Sequence, residues 1–224
     1  MTVIKPLVAA LERRFAGCPW FFRLYTLPYR NLVARELQLA AVDSSDTVLS
    51  IGCGALPFTA VLAARLSGAR VIAVDIDPVA AAQAEQLVHR LGCAARISVI
   101  TADAARDRLP DATVALVALQ AAPKDAIWRN LQRSLRPPRG RAVFRLPRPA
   151  LESEYGSFSA AADRHARTAG EEAATAGDGT LTDGDAAPAG VLNAGIRHRM
   201  PTFNRSVLCC IGNPRNAARG RSVA

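Results

Sequence analysis

The chain has 224 residues, half of them hydrophobic, which is enough to bury the core of one domain with a small appendage. Its net charge of +9 comes almost wholly from arginine, since Lys5 and Lys124 are the only lysines; with 5% aromatics, a basic face with interleaved aromatic rings for nucleic acid is not expected. No apolar run approaches the roughly 18 residues that span a bilayer, and no signal-peptide core is seen at the N-terminus, so a cytoplasmic protein without a membrane partner is expected.

In chain order, Thr2 can cap a first helix whose Ile4, Leu7, Val8, Leu11 and Phe15 share one face. An aromatic knot, Cys18-Pro19-Trp20-Phe21-Phe22, precedes a second helical segment over 28–41, and residues 1–43 are expected to form a short helical cap. From Val48 onward strands and helices alternate. Strands are expected at 48–52, 70–74, 96–100, 113–119 and 141–146, and helices at 57–66, 78–91 and 124–135. Such alternation predicts an α/β fold, a doubly wound, Rossmann-like and mostly parallel sheet over 44–211. The segments 191–197 and 205–211 flank Met200-Pro201 and can close the sheet edge as an antiparallel C-terminal hairpin. Between them and the core, 159–190 is rich in Ala, Gly, Asp and Thr and reads as a flexible insertion with a possible helix over 159–176; 212–224 reads as a disordered basic tail.

The chemistry concentrates at the end of the first strand. Gly52-Cys53-Gly54 removes the Cβ atoms that would hold a ligand off the backbone, and the helix opened by Leu56-Pro57 offers its unpaired N–H groups. About 20 residues on, VIAVD ends at Asp75, an acid placed to take two ribose hydroxyls. Pro57 stands where a dinucleotide fingerprint has its third glycine, so S-adenosylmethionine, which carries no phosphate, fits the turn better than a pyrophosphate. Asp103, after the third strand, can approach an adenine amino group or equally cap the next helix. Ile76 and Ala104, beside these two acids, complete the expected cofactor-lining positions with Cys53.

Other residues point elsewhere. His89, His165 and His198 are far apart in sequence and no metal-ligand spacing occurs, so no protein-bound metal is expected; the five cysteines lack C-x-x-C spacing and are read as reduced thiols. Asp77 before Pro78 reads as a helix cap. Arg145 and Arg148 can bind a substrate carboxylate bidentately or be solvated rim charges.

Several segments carry a family resemblance. Tyr29-x-Asn31-Leu32-x-x-x-Glu36, followed by Gly52-Cys53-Gly54-Ala55-Leu56-Pro57-Phe58-Thr59, resembles the Y-x-N-L-x-x-x-E and G-S-G-P-L-P-[FL]-[ST] motifs of nicotianamine synthase and its bacterial metallophore-making relatives, within the class I S-adenosylmethionine-dependent methyltransferase superfamily. TADAARD, AVFRLPRPALESEYG and VLNAGIRHRMPTFNRSVLCC resemble later segments of that branch, for a total likeness over roughly 20–158 and 191–211.

The resemblance implies transfer of the aminocarboxypropyl group of S-adenosylmethionine to an amine of a small amino-acid-like acceptor. Glu36 would then be the catalytic acid/base, Tyr29 a lining residue and Arg145 a substrate ligand. Pattern alone reads Glu36 as a surface carboxylate beside Arg35 and Tyr29 as core. A small-molecule methyltransferase and a non-catalytic S-adenosylmethionine-binding protein are the alternatives. Departures from the family are the short N-terminal region, Ala55 in place of proline, Ser50 where methyltransferases often carry Asp, and the unmatched 159–190 segment.

Overall fold

The computed structural model describes residues 19–159, 195–198 and 202–211, with side chains from Tyr29 onward. Helix α1 (Pro19–Leu39) leads into β1 (Thr47–Ile51), α2 (Phe58–Ser67), β2 (Arg70–Asp75), α3 (Pro78–Arg90), β3 (Ile97–Thr101), β4 (Val114–Val117), α4 (Lys124–Ser134) and β5 (Arg141–Pro147). A 3-10 turn at Pro149–Leu151 and the short α5 (Glu152–Tyr155) follow, then β6 (Gly195–Arg197) and β7 (Phe203–Cys210).

The strands form one sheet in the order β3-β2-β1-β4-β5-β7-β6. Its first five members pair in parallel, while β7 runs antiparallel to both β5 and β6. The order reverses between β1 and β4, so a ligand crevice opens at the C-terminal ends of those strands. The expected Rossmann-like sheet with its terminal hairpin is thus the architecture found.

Composition explains the layering. Every residue of β4 and β5 is buried, because helices cover both faces of a parallel sheet. On one face Val33 of α1, Val61 of α2 and Leu87 of α3 pack with Val143; on the other Trp128 and Leu131 of α4 pack with Phe144 and Phe158. Phe144 stacks on Phe158 at 4.4 Å between ring centroids and meets Trp128 edge-on at 6.0 Å. Helix ends follow local chemistry. The Asp77 carboxylate accepts the Val79 N–H at 2.8 Å with Pro78 in the first turn, as the sequence predicts, and Gly68 closes α2 in the left-handed region.

Three local expectations are corrected. The aromatic stretch 19–22 is not a knot before a helix at 28 but the first turns of α1, which runs unbroken through Pro28. Pro57 precedes α2 instead of lying in it. Strand β4 ends at Val117, and residues 118–123 leave it as a loop against the glycine turn. The expected helix over 2–15, the 160–190 part of the insertion, residues 191–194, Met200-Pro201 and the tail 212–224 lie outside the described residues. Among the described residues no helix is long and apolar enough to cross a membrane, and no cluster of three metal-ligating side chains occurs.

The opposite edge of the sheet, at the N-terminal ends of the strands, carries a polar knot. Asp46 receives the Arg141 guanidinium at 2.7 Å, the Thr113 hydroxyl at 2.7 Å and the Asp43 N–H at 3.0 Å, and Arg141 also donates from Nε to the Ala40 carbonyl. Burial pushes the Asp46 carboxyl up, but these donors outweigh it and hold the group below its ordinary value. Ser45 and Arg139 lower Asp43 to about 2. Folded values below the unfolded ones mean that both carboxylates stabilise the fold above about pH 4, and that this contribution is lost as pH falls through the folded values. Thermal unfolding should therefore show a steep loss of Tm between about pH 4 and about pH 2, and Asp46→Asn should flatten that loss.

Candidate active site

The glycine turn takes its shape from two residues in the left-handed region, Gly52 (φ +73°) and Gly54 (φ +64°). A Cβ on Gly52 would lie 3.3 Å from the Ala118 Cβ and 3.4 Å from the Ala121 Cβ, so the β4–α4 loop and the turn approach as closely as glycine permits. The Gly52 and Cys53 N–H groups both donate to the Val74 carbonyl, at 2.8 and 3.1 Å. Gln120 closes the far side, its amide donating to the Gly52 carbonyl at 3.3 Å.

Asp75 clasps this turn. One carboxylate oxygen accepts the Gly54 N–H at 2.7 Å and the other the Asp77 N–H at 3.1 Å. Each oxygen keeps lone pairs for a further donor, and the side chain is half-buried at the mouth of the crevice. Ile76, next to it, is 67% exposed and offers an apolar wall at that mouth. Cys53 is buried and its thiol is pushed up to about 12 by burial and by the negative charge of Asp75, so it stays protonated and inert.

The remaining cofactor-lining positions divide. Leu56 is 1% exposed and its side chain belongs to the core beneath the turn, so the expectation that it lines the ligand holds at most for its backbone. Ala104 is likewise core, with its carbonyl accepting the Asn130 amide at 3.0 Å. Asp103 caps its own turn, accepting the Ala105 N–H at 2.9 Å, while Arg106 approaches it at 3.7 Å. Of the two readings left open for Asp103, these contacts display capping, but of a turn at 104–106 and not of a helix.

Glu36 and Arg145 are brought together by the tertiary fold. Glu36, on α1, is 1% exposed and holds the guanidinium of Arg145, on β5, through Nε to Oε1 at 2.9 Å and Nη2 to Oε2 at 2.7 Å. Arg145 Nη1 donates to the Thr59 hydroxyl at 3.2 Å, which ties the pair to the first turn of α2 just past the glycine turn. The Ser206 hydroxyl donates to Glu36 Oε1 at 2.7 Å, and His198 Nε2 lies 2.9 Å from that hydroxyl. Phe203 covers the group, with the Arg145 guanidinium 5.8 Å from its ring centroid and the His198 ring edge-on at 5.6 Å. Tyr29, about two turns before Glu36 on the same face of α1, packs its ring on Phe58 at 4.4 Å.

These contacts correct two sequence readings. Glu36 is not a surface carboxylate beside Arg35. Arg145 is neither a solvated rim charge nor a guanidinium presented to a substrate carboxylate, since Glu36 occupies its bidentate edge. Thr59, Ser206, His198 and Gln120 were missed as site residues. Thr59 and Ser206 stand within the segments that carry the family likeness, but their hydrogen bonds depend on partners 86 and 170 residues away.

Lys124, also missed, is 1% exposed and spends its ammonium on the carbonyls of Leu119 at 2.7 Å and of Ala121 and Tyr155 at 3.1 Å. It pins the β4–α4 loop against Gly52. A cavity of about 450 Å³ opens beyond this loop at the C-terminal end of β5, lined by Leu146, Glu152, Phe158, Arg197 and Arg205 among others.

Comparison with known proteins gives likenesses in sequence and in fold. Residues 48–138 match a family model described as a methyltransferase domain. The L-histidine 2-aminobutanoyltransferase of Yersinia pestis is 36% identical over 76 residues, covering 34% of this chain and 29% of that protein. Its namesake from Pseudomonas aeruginosa (strain UCBPP-PA14) is 35% identical over 104 residues, covering 45% of this chain and 39% of that protein. The match thus spans between 29% and 39% of the length of these curated relatives.

Among solved structures, a Glu-to-Gln mutant of the nicotianamine synthase MtNAS in complex with S-adenosylmethionine superposes with a TM-score of 0.67 at 22% identity, over 93% of this chain and 74% of that one. An RNA methyltransferase from Salinibacter ruber in complex with S-adenosyl-L-homocysteine gives 0.54 at 19% identity, over 82% of this chain and 92% of that one. The chain has the Rossmann-like methyltransferase fold, shared with both of these structures.

Proposed function

We propose that this chain is an S-adenosylmethionine-dependent transferase that moves the 3-amino-3-carboxypropyl group to an amine of a small amino-acid-like acceptor. The observation that carries this reading is the enclosed Glu36–Arg145–Ser206 network, joined through Thr59 to the helix that follows the glycine turn. A buried carboxylate fixed by a guanidinium beside a nucleoside crevice supplies what amine alkylation needs: a group able to take the ammonium proton, held in one geometry. The names of the curated relatives support an amino-acid acceptor.

In this reading S-adenosylmethionine lies across the C-terminal ends of β1 and β2. Its ribose hydroxyls donate to Asp75, its adenine packs on Ile76, and its carboxylate meets N–H groups of the glycine turn and the start of α2. The bond from sulfur to the γ-carbon breaks as the acceptor nitrogen attacks that carbon, its electron pair leaves with sulfur, and methylthioadenosine departs. Glu36 takes the ammonium proton that frees the nitrogen lone pair. Tyr29 lines the same wall of α1. The cavity beyond β5, lined by Glu152, Arg197 and Arg205, carries charges of both signs, which suit the ammonium and carboxylate of an amino acid.

Methyl transfer is the second reading, favoured by the family description over 48–138. Incubating the chain with S-adenosylmethionine and single amino acids and identifying the nucleoside released separates the two. Methylthioadenosine is expected; S-adenosylhomocysteine would move the chain to the methyltransferases, and no product would remove the enzymatic reading. Asp75→Ala should weaken S-adenosylmethionine binding on the order of 10²-fold by calorimetry, since it deletes a charged acceptor for two hydroxyls and releases the Gly54 clasp.

A further inference from the structure

A bidentate ion pair fixes its two members on each other but leaves open where the unit stands in the fold. Arg145 reaches Glu36 through Nε and Nη2, at 2.9 and 2.7 Å, and the two side chains act as one unit. Two contacts hold that unit from β7: the Phe203 ring centroid lies 5.8 Å from the guanidinium, and the Ser206 hydroxyl donates to Glu36 Oε1 at 2.7 Å. A third holds it from the side of the crevice. The Thr59 hydroxyl accepts from Arg145 Nη1 at 3.2 Å, using the guanidinium nitrogen that does not meet Glu36.

Thr59 belongs to the first turn of α2, and that turn is firmly seated. Every residue from Thr59 to Ala64 is buried, so the helix start cannot shift without disturbing the core. The Val61 N–H donates to the Pro57 carbonyl and opens the helical ladder, which leaves the Thr59 N–H ahead of it, among the donors that a helix start offers to an anion. In the cofactor placement proposed above, this is where the carboxylate of S-adenosylmethionine lies. A single residue then serves both groups, its backbone the cofactor and its hydroxyl the arginine. Thr59 is 9% exposed, so water competes little for that hydroxyl.

We infer that Thr59 is a positioning residue: it sets the Glu36–Arg145 unit where amine alkylation needs it and links that place to occupation of the nucleoside crevice, in the transfer proposed above, on which this inference rests. Loss of the hydroxyl leaves the fork intact, because both bonds between Arg145 and Glu36 remain. What goes is the tether to α2, and the unit then settles toward its contacts on β7. A displacement of about 1 Å near reacting groups costs on the order of 10²-fold in rate.

Thr59→Val, which keeps the size and branching of the side chain, should lower kcat by about 10- to 10²-fold, with the KM for S-adenosylmethionine within about twofold of wild type. Thr59→Ser, which keeps the hydroxyl, should restore most of the rate. Wild-type kcat in Thr59→Val, or a Thr59→Ser chain as slow as Thr59→Val, would overturn the role of the hydroxyl. A raised KM at unchanged kcat would overturn it too, since Thr59 would then bind the cofactor and position nothing.

Proton NMR of the whole chain gives a readout that needs no turnover. The buried Arg145 Nε–H should shift when S-adenosylmethionine is added to wild type or Thr59→Ser, and stay in place in Thr59→Val. A wild-type resonance that ignores the bound nucleoside would overturn the link. A chain that shows the shift but releases no nucleoside with any amino acid would defeat the proposed transfer while supporting the link through Thr59. One that does not bind S-adenosylmethionine at all would defeat both.

Discussion

Arg145→Met is expected to cost about 3 to 5 kcal/mol of folding stability, measured by denaturant unfolding, an effect large enough to threaten the native state of a typical domain. The cost comes from what is left behind. Glu36 and Arg145 are 1% and 5% exposed, so removing the guanidinium strands an ionised carboxylate in a buried site that Phe203 covers and that Thr59 ties to the first turn of α2. Ser206 still donates to Oε1, but one neutral hydroxyl cannot replace two charge-assisted bonds.

The pair as a whole contributes far less, because both ions lost their hydration on burial. Glu36→Leu combined with Arg145→Met should therefore recover most of the loss. A double variant as unstable as the sum of the singles would show that the two residues act independently, contrary to the bidentate geometry.

Glu36→Gln is expected to lower kcat by about 10² to 10⁴ while S-adenosylmethionine binds within about twofold of the wild-type affinity. The amide preserves the shape of the side chain but has no basic oxygen pair, and in either orientation its NH₂ faces a donor of Arg145. Nucleoside binding should survive because Asp75 and the glycine turn are tied to β2 and not to Glu36. Calorimetry and single-turnover release of methylthioadenosine check the two halves separately. Wild-type turnover in Glu36→Gln would take the residue out of the mechanism, and lost affinity would mean that it shapes the crevice instead.

Residues that act within one element or one turn were legible in the sequence. Asp77 and Pro78 start α3 as local chemistry requires, and Gly52, Gly54 and Asp75 come together because a strand, a tight turn and the next parallel strand admit one arrangement. The alternation of apolar runs with amphipathic segments settled the parallel sheet, and the last hairpin followed from two short strands flanking a turn. The burial of Leu56 and Ala104 was not legible, since a residue beside a ligand turn can face the crevice or the core, and only the packing above and below the sheet selects between them.

The amino-acid order by itself determined the α/β alternation, the glycine turn, its acidic clasp and the likeness to nicotianamine synthase, all of which rest on neighbours in sequence or on adjacent parallel strands. Only the tertiary structure decided that Glu36 and Arg145 are one ion pair, that Ser206 and His198 complete it, and that Lys124 is a buried brace. These contacts join residues up to 170 positions apart. They exist because α1 folds back over the C-terminal half of β5 and the N-terminal half of the antiparallel β7, and because a charge removed from water there must find its opposite wherever the chain brings it.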